Sequence, residues 1–174
     1  MNKLLIIAPW VVLGVVVAGL YGIANNQVTY TLSPEFYREY KFLSFGVQDI
    51  PGSDRLRVAA VGWLASWWVG LVIGVIITLP GIFSFNADIK WLFFLYVAII
   101  FSGCFLGGLG AYLWSNYGNV PFVLLSLNKG HLYNHVGFIH VGVYVGAAFG
   151  LIVAFIHAME LAVKMHHDFH DSNK

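Results

Sequence analysis

The side chains of this sequence best suited to chemistry are its seven histidines, which all lie between His131 and His170. An imidazole ring binds transition metals, and it exchanges a proton near neutral pH. Metal binding and proton transfer are therefore the two chemistries that the residue types suggest. The histidines fall into two groups, one that ends at His140 and one that begins at His157.

The second group begins where a long apolar stretch of the chain ends. His157 and Glu160 are three residues apart, and Lys164 follows Glu160 at the favourable i, i+4 spacing. In helical projection these residues share the angle of Gly142 and Gly146, so we expect them to point into a helix bundle or towards a partner. They could form a metal site or a proton-exchanging pair. A structural polar network at the exit from the membrane is the alternative.

The C-terminal tail adds three histidines to this group. His166, His167 and His170 surround Asp168 in a short sequence whose donor atoms would suit Cu, Ni or Zn. A solvated tail, or a contact with another subunit, is the alternative interpretation. The candidate metal ligands of the second group are His157, Glu160, His166, His167 and His170.

The first group of histidines has a weaker pattern. His131 and His135 are four residues apart and could bind a metal if residues 130–134 are helical, although two histidines at this spacing are not a specific motif. A haem with two axial histidines needs ligands from opposite sides of one pocket, and the other apolar segments contain no histidine. Haem would therefore require a dimer or one-sided ligation. We expect no cofactor, with a transition metal or haem as the alternative.

Four apolar segments must position these residues, because the composition is that of a membrane protein. Hydrophobic residues make up 59% of the 174 residues and charged residues 10%, whereas soluble domains carry about a quarter charged residues. At about 1.5 Å per residue, each segment can cross a hydrocarbon layer of about 30 Å. We predict an all-α integral membrane protein with one transmembrane domain over residues 1–174 and spans at 4–24, 58–79, 91–115 and 136–163.

Two features of the first half of the chain need interpretation. A cleaved signal peptide is the alternative for residues 4–24, but this run exceeds the apolar region of such peptides. In the loop that follows, Ser33-Pro34-Glu35 is a helix start, which predicts an amphipathic helix over residues 34–43. It would lie on the membrane surface or on the ends of the spans. Its apolar side would carry Phe36, Tyr37, Tyr40 and Leu43, with Arg38, Glu39 and Lys41 largely on other sides.

Every span carries a row of small residues at four-residue spacing. Such rows let helix backbones approach closely in a membrane, where lipid tails remove the hydrophobic drive for association. Four rows in four spans predict one tight, antiparallel four-helix bundle. The predicted packing residues include Gly62, Gly70, Gly74, Gly103, Gly107, Gly142, Gly146 and Gly150, with Gly14, Ala18 and Gly22 in the first span.

The charged residues exclude several functions. The first three spans contain no Asp, Glu, Lys, Arg or His, whereas transporters and proton relays place ionisable groups within the membrane. A net charge of +1 without a basic stripe gives no site for nucleic acid. We predict a non-enzymatic membrane protein, a structural or accessory subunit that contacts lipid and either other subunits or further copies of itself. A metal- or haem-associated redox protein that uses the C-terminal helix and tail is the alternative.

Three segments together carry a resemblance. They are TYTLSPEFYREYKFLSFG (29–46), RLRVAAVGWLASWWVGLVIG (55–74) and YNHVGFIHVGVYVGAAFGLIVAF (133–155). The chain resembles a group of small four-span bacterial membrane proteins with no established activity. The resemblance implies a bacterial inner membrane and supplies no functional residues. The signal-anchor character of the first span favours cytoplasmic termini, although Arg55 and Arg57 beside the second span favour the opposite orientation.

Overall fold

The computed structural model describes residues 3–83, 89–117 and 130–171, and these residues form helices joined by short turns. No β-strand occurs within these ranges. The elements are α1 (Lys3–Leu32), α2 (Pro34–Phe36), a π-helical turn (Tyr37–Lys41), α3 (Phe42–Ser44), α4 (Asp54–Phe83), α5 (Ile89–Tyr117) and α6 (His131–Asp171). We refer to residues 34–44 together as the loop helix.

Helices α1, α4, α5 and α6 are each long and apolar enough to cross a membrane. The candidate spans within them are Ala8–Leu32, Asp54–Ile76, Lys90–Tyr117 and His131–Asp168. The predicted class, an all-α protein with four helices able to span a membrane, is therefore confirmed. The antiparallel order of the bundle as a whole and the amphipathic surface helix stay predictions.

The helices extend beyond the apolar runs from which their spans were predicted. Helix α1 continues to Leu32, and within this extension the hydroxyl of Thr31 donates to the carbonyl of Gln27 at 2.9 Å. It ends where Ser33 turns extended, at φ −147°, and caps the N–H group of Phe36. Hydropathy marks the edge of the bilayer, whereas hydrogen bonding and capping decide where a helix ends.

Helix α4 passes Pro80 and Gly81, a helix-breaking pair that directly follows the predicted span at 58–79, and it reaches Phe83. A proline removes one backbone N–H donor and leaves one carbonyl without its helical partner. In a membrane, local adjustments and neighbouring groups can satisfy the freed carbonyl, so proline is tolerated within spans. The sequence rule for helix breakers, which holds in water, is therefore too strict here.

Helices α1 and α4 pack against each other through glycine. A β-carbon placed on Gly14 would lie 2.6 Å from the carbonyl oxygen of Gly70, and one placed on Gly62 would lie 2.5 Å from that of Gly22. Only glycine permits this approach of two backbones. Because residue numbers rise along α1 while those of the contacted residues fall along α4, the two helices run in opposite directions.

Helices α5 and α6 form a second pair of the same kind. The backbone of Gly103 lies against Gly146, and that of Gly107 lies against Gly142. Further along, a β-carbon on Gly150 would lie 2.8 Å from the Cα atom of Ile100. These two helices also run in opposite directions. The molecule thus contains two pairs of helices, α1 with α4 and α5 with α6, each held by direct backbone contact.

Large side chains, rather than glycines, join one pair to the other. The rings of Tyr21 and Phe101 are stacked with centroids 4.5 Å apart, and those of Trp10 and Phe93 lie 5.3 Å apart. Buried Ile73 belongs to the same apolar cluster as Phe93. The interface between the pairs therefore resembles an ordinary protein core.

The loop helix folds against one end of this assembly. Phe36, Tyr37 and Phe42 are buried there, in a cluster that includes Val58 of α4 and Val136 of α6. The sequence pattern was wrong about which side chains face inwards. Leu43, assigned to the apolar side, is 69% exposed, and Lys41, assigned to another side, is only 6% exposed.

The wider turn of the loop helix accounts for this difference. The N–H group of Phe42 bonds to the carbonyl of Tyr37, five residues back, as in a π-helix. Fewer degrees per residue separate side chains in such a turn than in the α-helix assumed for the projection. Tyr37, Lys41 and Phe42 can therefore share the buried side.

Candidate functional site

A buried polar network lies where α1, the loop helix and α6 meet. His140 is only 5% exposed. Its Nε2 atom lies 3.3 Å from the hydroxyl oxygen of Tyr37 and 3.2 Å from Oδ1 of Asn26, and its Nδ1 atom lies 2.8 Å from the carbonyl oxygen of Val136. The hydroxyl of Tyr37 is in turn 2.6 Å from that of Thr29. The network joins three elements that are distant in sequence.

The atom types in the network determine, in part, which of its atoms carry a proton. The carbonyl of Val136 can only accept, so Nδ1 of His140 carries a proton. If the ring is neutral, Nε2 accepts from the Tyr37 hydroxyl, and the Tyr37 oxygen accepts from Thr29. If the ring is charged, Nε2 donates to Tyr37 or Asn26, Tyr37 donates to Thr29, and Thr29 donates to the carbonyl of Asn25 at 3.0 Å. The two patterns differ by one proton on His140, and in the neutral pattern Oδ1 of Asn26 faces the lone pair of Nε2.

Asn26 contributes one unsatisfied group to this network. Its Nδ2 atom is buried and has no hydrogen-bond partner among the residues that the structure describes. Exchanging the amide oxygen and nitrogen would place Nδ2 beside Nε2 of His140, which suits the neutral ring, but it would leave the oxygen unpaired. The network therefore joins the helix ends by hydrogen bonds and leaves one polar group, the side-chain amide of Asn26, partly unsatisfied.

Lys41 lies beside the network and has an unusual environment. Its Nζ atom is 5.5–6.0 Å from the ring centroids of Phe36, Tyr40, Phe45 and Tyr144. Within the described part of the chain, no carboxylate lies within ion-pair distance of it. Burial away from water lowers the pKa of Lys41 to about 8. Burial also raises the pKa of the neighbouring Tyr37 hydroxyl, which therefore stays protonated.

An exposed polar cluster holds the loop helix from the other side. Arg38 and Arg57 both bond to the carboxylate of Asp54, at 2.6 and 2.8 Å, and the hydroxyl of Tyr30 donates to the same group at 3.2 Å. The hydrogen bond to Asp54 raises the pKa of Arg38. Arg55 donates to the backbone carbonyl of Gln27 at 2.8 Å. These contacts connect the ends of α1 and α4 to the loop helix.

The first histidine group adopts the geometry that its spacing allows. Residue 131 begins α6, so His131 and His135 lie on consecutive turns, and their Nε2 atoms are 2.8 Å apart. The Nδ1 atom of His135 bonds to the hydroxyl oxygen of Ser115, which itself donates to the carbonyl of Tyr112. That chain of bonds places the proton of His135 on Nδ1 and leaves Nε2 as a lone-pair donor. This is the arrangement in which a histidine binds a metal.

The second histidine group is not directed into the bundle. His157, Glu160 and Lys164 are all exposed, and Nδ1 of His157 lies 3.1 Å from the hydroxyl of Tyr96. The buried positions of this part of α6 are Ala154, Ala158 and Ala162. Glu160 and Lys164 thus do not point into the bundle, whereas His157 contacts the buried Tyr96 of α5; a direction towards a partner stays a prediction.

The error comes from comparing angles at different heights along α6. Residues at four-residue spacing advance by about 40° per step at 100° per residue. The contact row that begins at Gly142 has consequently turned by about 160° when it reaches Ala158. Glu160 shares its projected angle with Gly142, yet it lies opposite the buried row at its own height.

The predicted metal ligands are not brought together among the described side chains. His166 and His167 are exposed near the end of α6, and the side chain of His170 lies outside the described residues. Where side chains are described, no group of three or more His, Cys, Asp or Glu could hold a metal ion. A metal at His157, Glu160, His166, His167 and His170 stays a prediction.

Fold and site define a multi-pass helical membrane protein with a buried polar network at one end. Comparison of the chain with protein-family models, with curated proteins and with solved structures found no match. Its function must therefore be argued from the geometry. The sequence did contain a signal for the network, because Asn25, Asn26 and Thr29 lie at helical spacing directly after an apolar span, but nothing in it pointed to His140 as their partner.

Proposed function

We propose that this chain is a non-enzymatic integral membrane protein that acts as an accessory or structural subunit by packing against other membrane helices. The observation that carries the proposal is the length of α6. It has 41 residues, against 29 in α5. From the contact between Gly107 and Gly142, Ile89 at the start of α5 lies level with Glu160. The end of α6 at Asp171 thus extends about 16 Å further.

The exposed surface at the end of α6, from the level where α5 begins and onto this extension, suits a docking helix, and we call it the α6 tail (residues 156–168). Apolar Ile156, Met159 and Val163 are 51%, 39% and 54% exposed, beside the charged Glu160 and Lys164. In a contact between helices, the apolar side chains supply buried area and the charged side chains fix the register. A purely lipid-facing surface would not require the charged residues.

The chemistry of the buried network agrees with a structural role. Both ring nitrogens of His140 bond to groups of the protein itself, and the Tyr37 hydroxyl bonds to Thr29. A catalytic base must instead reach a proton on a substrate. The network is thus suited to fixing the loop helix on the bundle.

Site-specific photo-crosslinking in native membranes tests the proposal. Benzoylphenylalanine would replace Val163 in the α6 tail and, as a control, Phe149 in the middle of the same helix, where the side chain is 67% exposed. We expect a discrete protein adduct from position 163 and none from position 149. An adduct with a second copy of the chain would identify a homo-oligomer. If neither position gave a protein adduct, or both gave the same ones, the subunit proposal would be wrong.

A second candidate function is transition-metal binding, and the His131–His135 pair favours it. Two imidazole nitrogens 2.8 Å apart, one of them oriented by Ser115, could bind the same Cu, Ni or Zn ion once the metal displaces the proton that Nε2 of His131 donates to Nε2 of His135. Equilibrium dialysis of the purified protein against each metal would test it. We expect His131→Ala with His135→Ala to abolish binding of one ion per chain, and the matched pair His166→Ala with His167→Ala to retain it. Equal binding by both variants would contradict this assignment.

A further inference from the structure

A cavity of about 240 Å³ opens between the loop helix and α6, directly beside Lys41. Aromatic side chains form most of its walls, and its polar lining includes Lys41 and His140. We call it the Lys41 pocket. Its lining includes Phe36, Tyr40, Lys41, Phe138, His140 and Tyr144.

The second feature is an apolar groove of about 260 Å³ along the seam between α5 and α6. Trp114 lies at one end, near the end of α5, and Gly107 lies about two turns deeper along the helix. Phe138 and Val141 line both this groove and the Lys41 pocket. A ligand that rested on these two side chains would therefore reach a cationic pocket on one side and a purely apolar groove on the other.

The charge of the pocket is not balanced by the described residues. Among the described residues, Lys41 has cation–π contacts but no ion pair, and the ring centroids lie at 5.5–6.0 Å, near the outer limit of about 6 Å for cation–π attraction. His140 cannot compensate, because its ring is neutral or positive. A buried ammonium without an anion is costly. The site therefore lacks one negative charge.

We propose that the Lys41 pocket and the adjoining groove bind a phospholipid of net negative charge, whose head carries a phosphodiester that pairs with Lys41 and no cation of its own, and whose acyl chain lies between α5 and α6. The position is suitable, because the loop helix lies at the ends of the spans, where lipid headgroups are found. The single ammonium matches the single charge of a phosphodiester. Tyr40 and Tyr144 provide the amphipathic rings typical of that depth.

Native mass spectrometry of the full-length protein in detergent can test this proposal. The probes are dioleoyl phosphatidylglycerol and dioleoyl phosphatidylethanolamine, which have the same chains but differ in net charge, together with glycerophosphoglycerol, the phosphodiester head of phosphatidylglycerol without chains. We expect phosphatidylglycerol to be retained about tenfold more strongly than phosphatidylethanolamine. Glycerophosphoglycerol should compete only weakly. Competition by glycerophosphoglycerol at the strength of the lipid would overturn the acyl-chain part of the site.

Two variants and a control connect binding to this location. Lys41→Met keeps the shape of the side chain, removes its charge and should lower phosphatidylglycerol retention to the level of phosphatidylethanolamine. Gly137→Leu should also weaken binding by filling the pocket, since a β-carbon there would be only in ordinary contact, at 3.5 Å, with Phe36. The control Lys164→Met removes an exposed lysine of α6 and should change nothing. Wild-type retention by Lys41→Met, or equal retention of the two lipids by the wild type, would overturn the proposal.

Discussion

At the residue scale, the Tyr37 hydroxyl is the centre of the polar network. It bonds to Thr29 of α1 and to His140 of α6, and the Tyr37 ring is completely buried. Removing this hydroxyl breaks the hydrogen bonds to both buried partners. A buried polar group left without a partner lowers the free energy of unfolding by about 1–3 kcal/mol. The hydroxyl of Tyr37 therefore helps to join the loop helix to both α1 and α6.

We predict that Tyr37→Phe lowers the free energy of unfolding by about 1–3 kcal/mol. Tyr40→Phe is the matched control, because Tyr40 belongs to the same loop helix but is 51% exposed. Its effect should stay within about 0.5 kcal/mol. Reversible unfolding of the detergent-solubilised proteins by sodium dodecyl sulfate would measure both changes. Equal changes for the two variants would show that the hydroxyl of Tyr37 does not stabilise the fold.

Lys41 leads to a prediction about pH. Its pKa is about 8 in the folded protein and 10.5 without burial. Between these values the unfolded chain binds more protons, so stability rises with pH in this window. Below about pH 8 the buried charge lowers stability by its full amount. Tyr37 does not titrate there, because burial raises its pKa further.

Lys41→Met should therefore raise stability near pH 7 in detergent without anionic lipid, by up to about 3 kcal/mol. The difference from the wild type should shrink as the pH rises from 8 to 10.5. Unfolding curves for both proteins at several pH values would measure this. A constant difference across the range would mean that the pKa of Lys41 is the same in the folded and unfolded protein, so that burial does not lower it.

The chemistry of single residues was only partly predictable from sequence. The glycine rows could be located because close helix contact in lipid depends on a local pattern, a small side chain at every fourth position. The partners of His140 could not, since Asn26 and Tyr37 are separated from it by 114 and 103 residues. Only the folding of the loop helix against α6 brings these groups together.

At the element scale, the seam between α5 and α6 tolerates no side chain at its closest point. A β-carbon on Gly146 would collide with the backbone of Gly103, which cannot rotate away as a side chain can. Gly110 provides a matched comparison on α5, because a β-carbon there would have no neighbour within 4 Å in the described structure. The same substitution should thus have opposite effects at the two sites.

We predict that Gly146→Ala destabilises the protein by about 1–3 kcal/mol, since the helices must move apart. Gly110→Ala should be neutral or slightly stabilising, because alanine favours the helix by up to about 1 kcal/mol over glycine. Thermal denaturation of the detergent-purified variants would compare them. A Gly146→Ala protein as stable as Gly110→Ala would contradict the close approach of the two backbones.

The prediction of elements succeeded where the bilayer sets the rule and failed where tertiary contacts do. Four long apolar runs gave four helices, because an apolar run of that length has no other stable form in lipid. The polar extension of α1 past residue 24 and the π-helical turn were missed. Both depend on bonds to distant groups, such as Arg55 to Gln27, which a local pattern does not contain.

At the scale of the whole molecule, the two helix pairs are joined mainly by side chains. Tyr21 faces Phe101 and Trp10 faces Phe93, so side chains of α1 and α5 meet at two levels, while α4 and α6 make the closest backbone approach between the pairs. Backbone contacts within the pairs cannot be adjusted, whereas packed side chains can. We expect the pairs to keep their internal geometry while the interface between them absorbs any movement.

A double-mutant cycle would measure the contribution of that interface. The stacked rings of Tyr21 and Phe101 predict a coupling free energy of about 0.5–1.5 kcal/mol when both are changed to leucine, singly and together. Val12 and Phe105 provide the control pair, because both are more than 60% exposed and lie about 15 Å apart along the bundle by the register of the rings.

The control pair should show coupling within about 0.3–0.5 kcal/mol of zero, as expected for distant sites. Stability would be measured by unfolding in sodium dodecyl sulfate for the four proteins of each cycle. Coupling in the Tyr21–Phe101 cycle alone would mean that the two pairs are in contact in the folded protein. Zero coupling in both cycles would mean that the stacked rings do not hold the pairs together, which would leave the contact of α4 with α6 and the loop helix to do so.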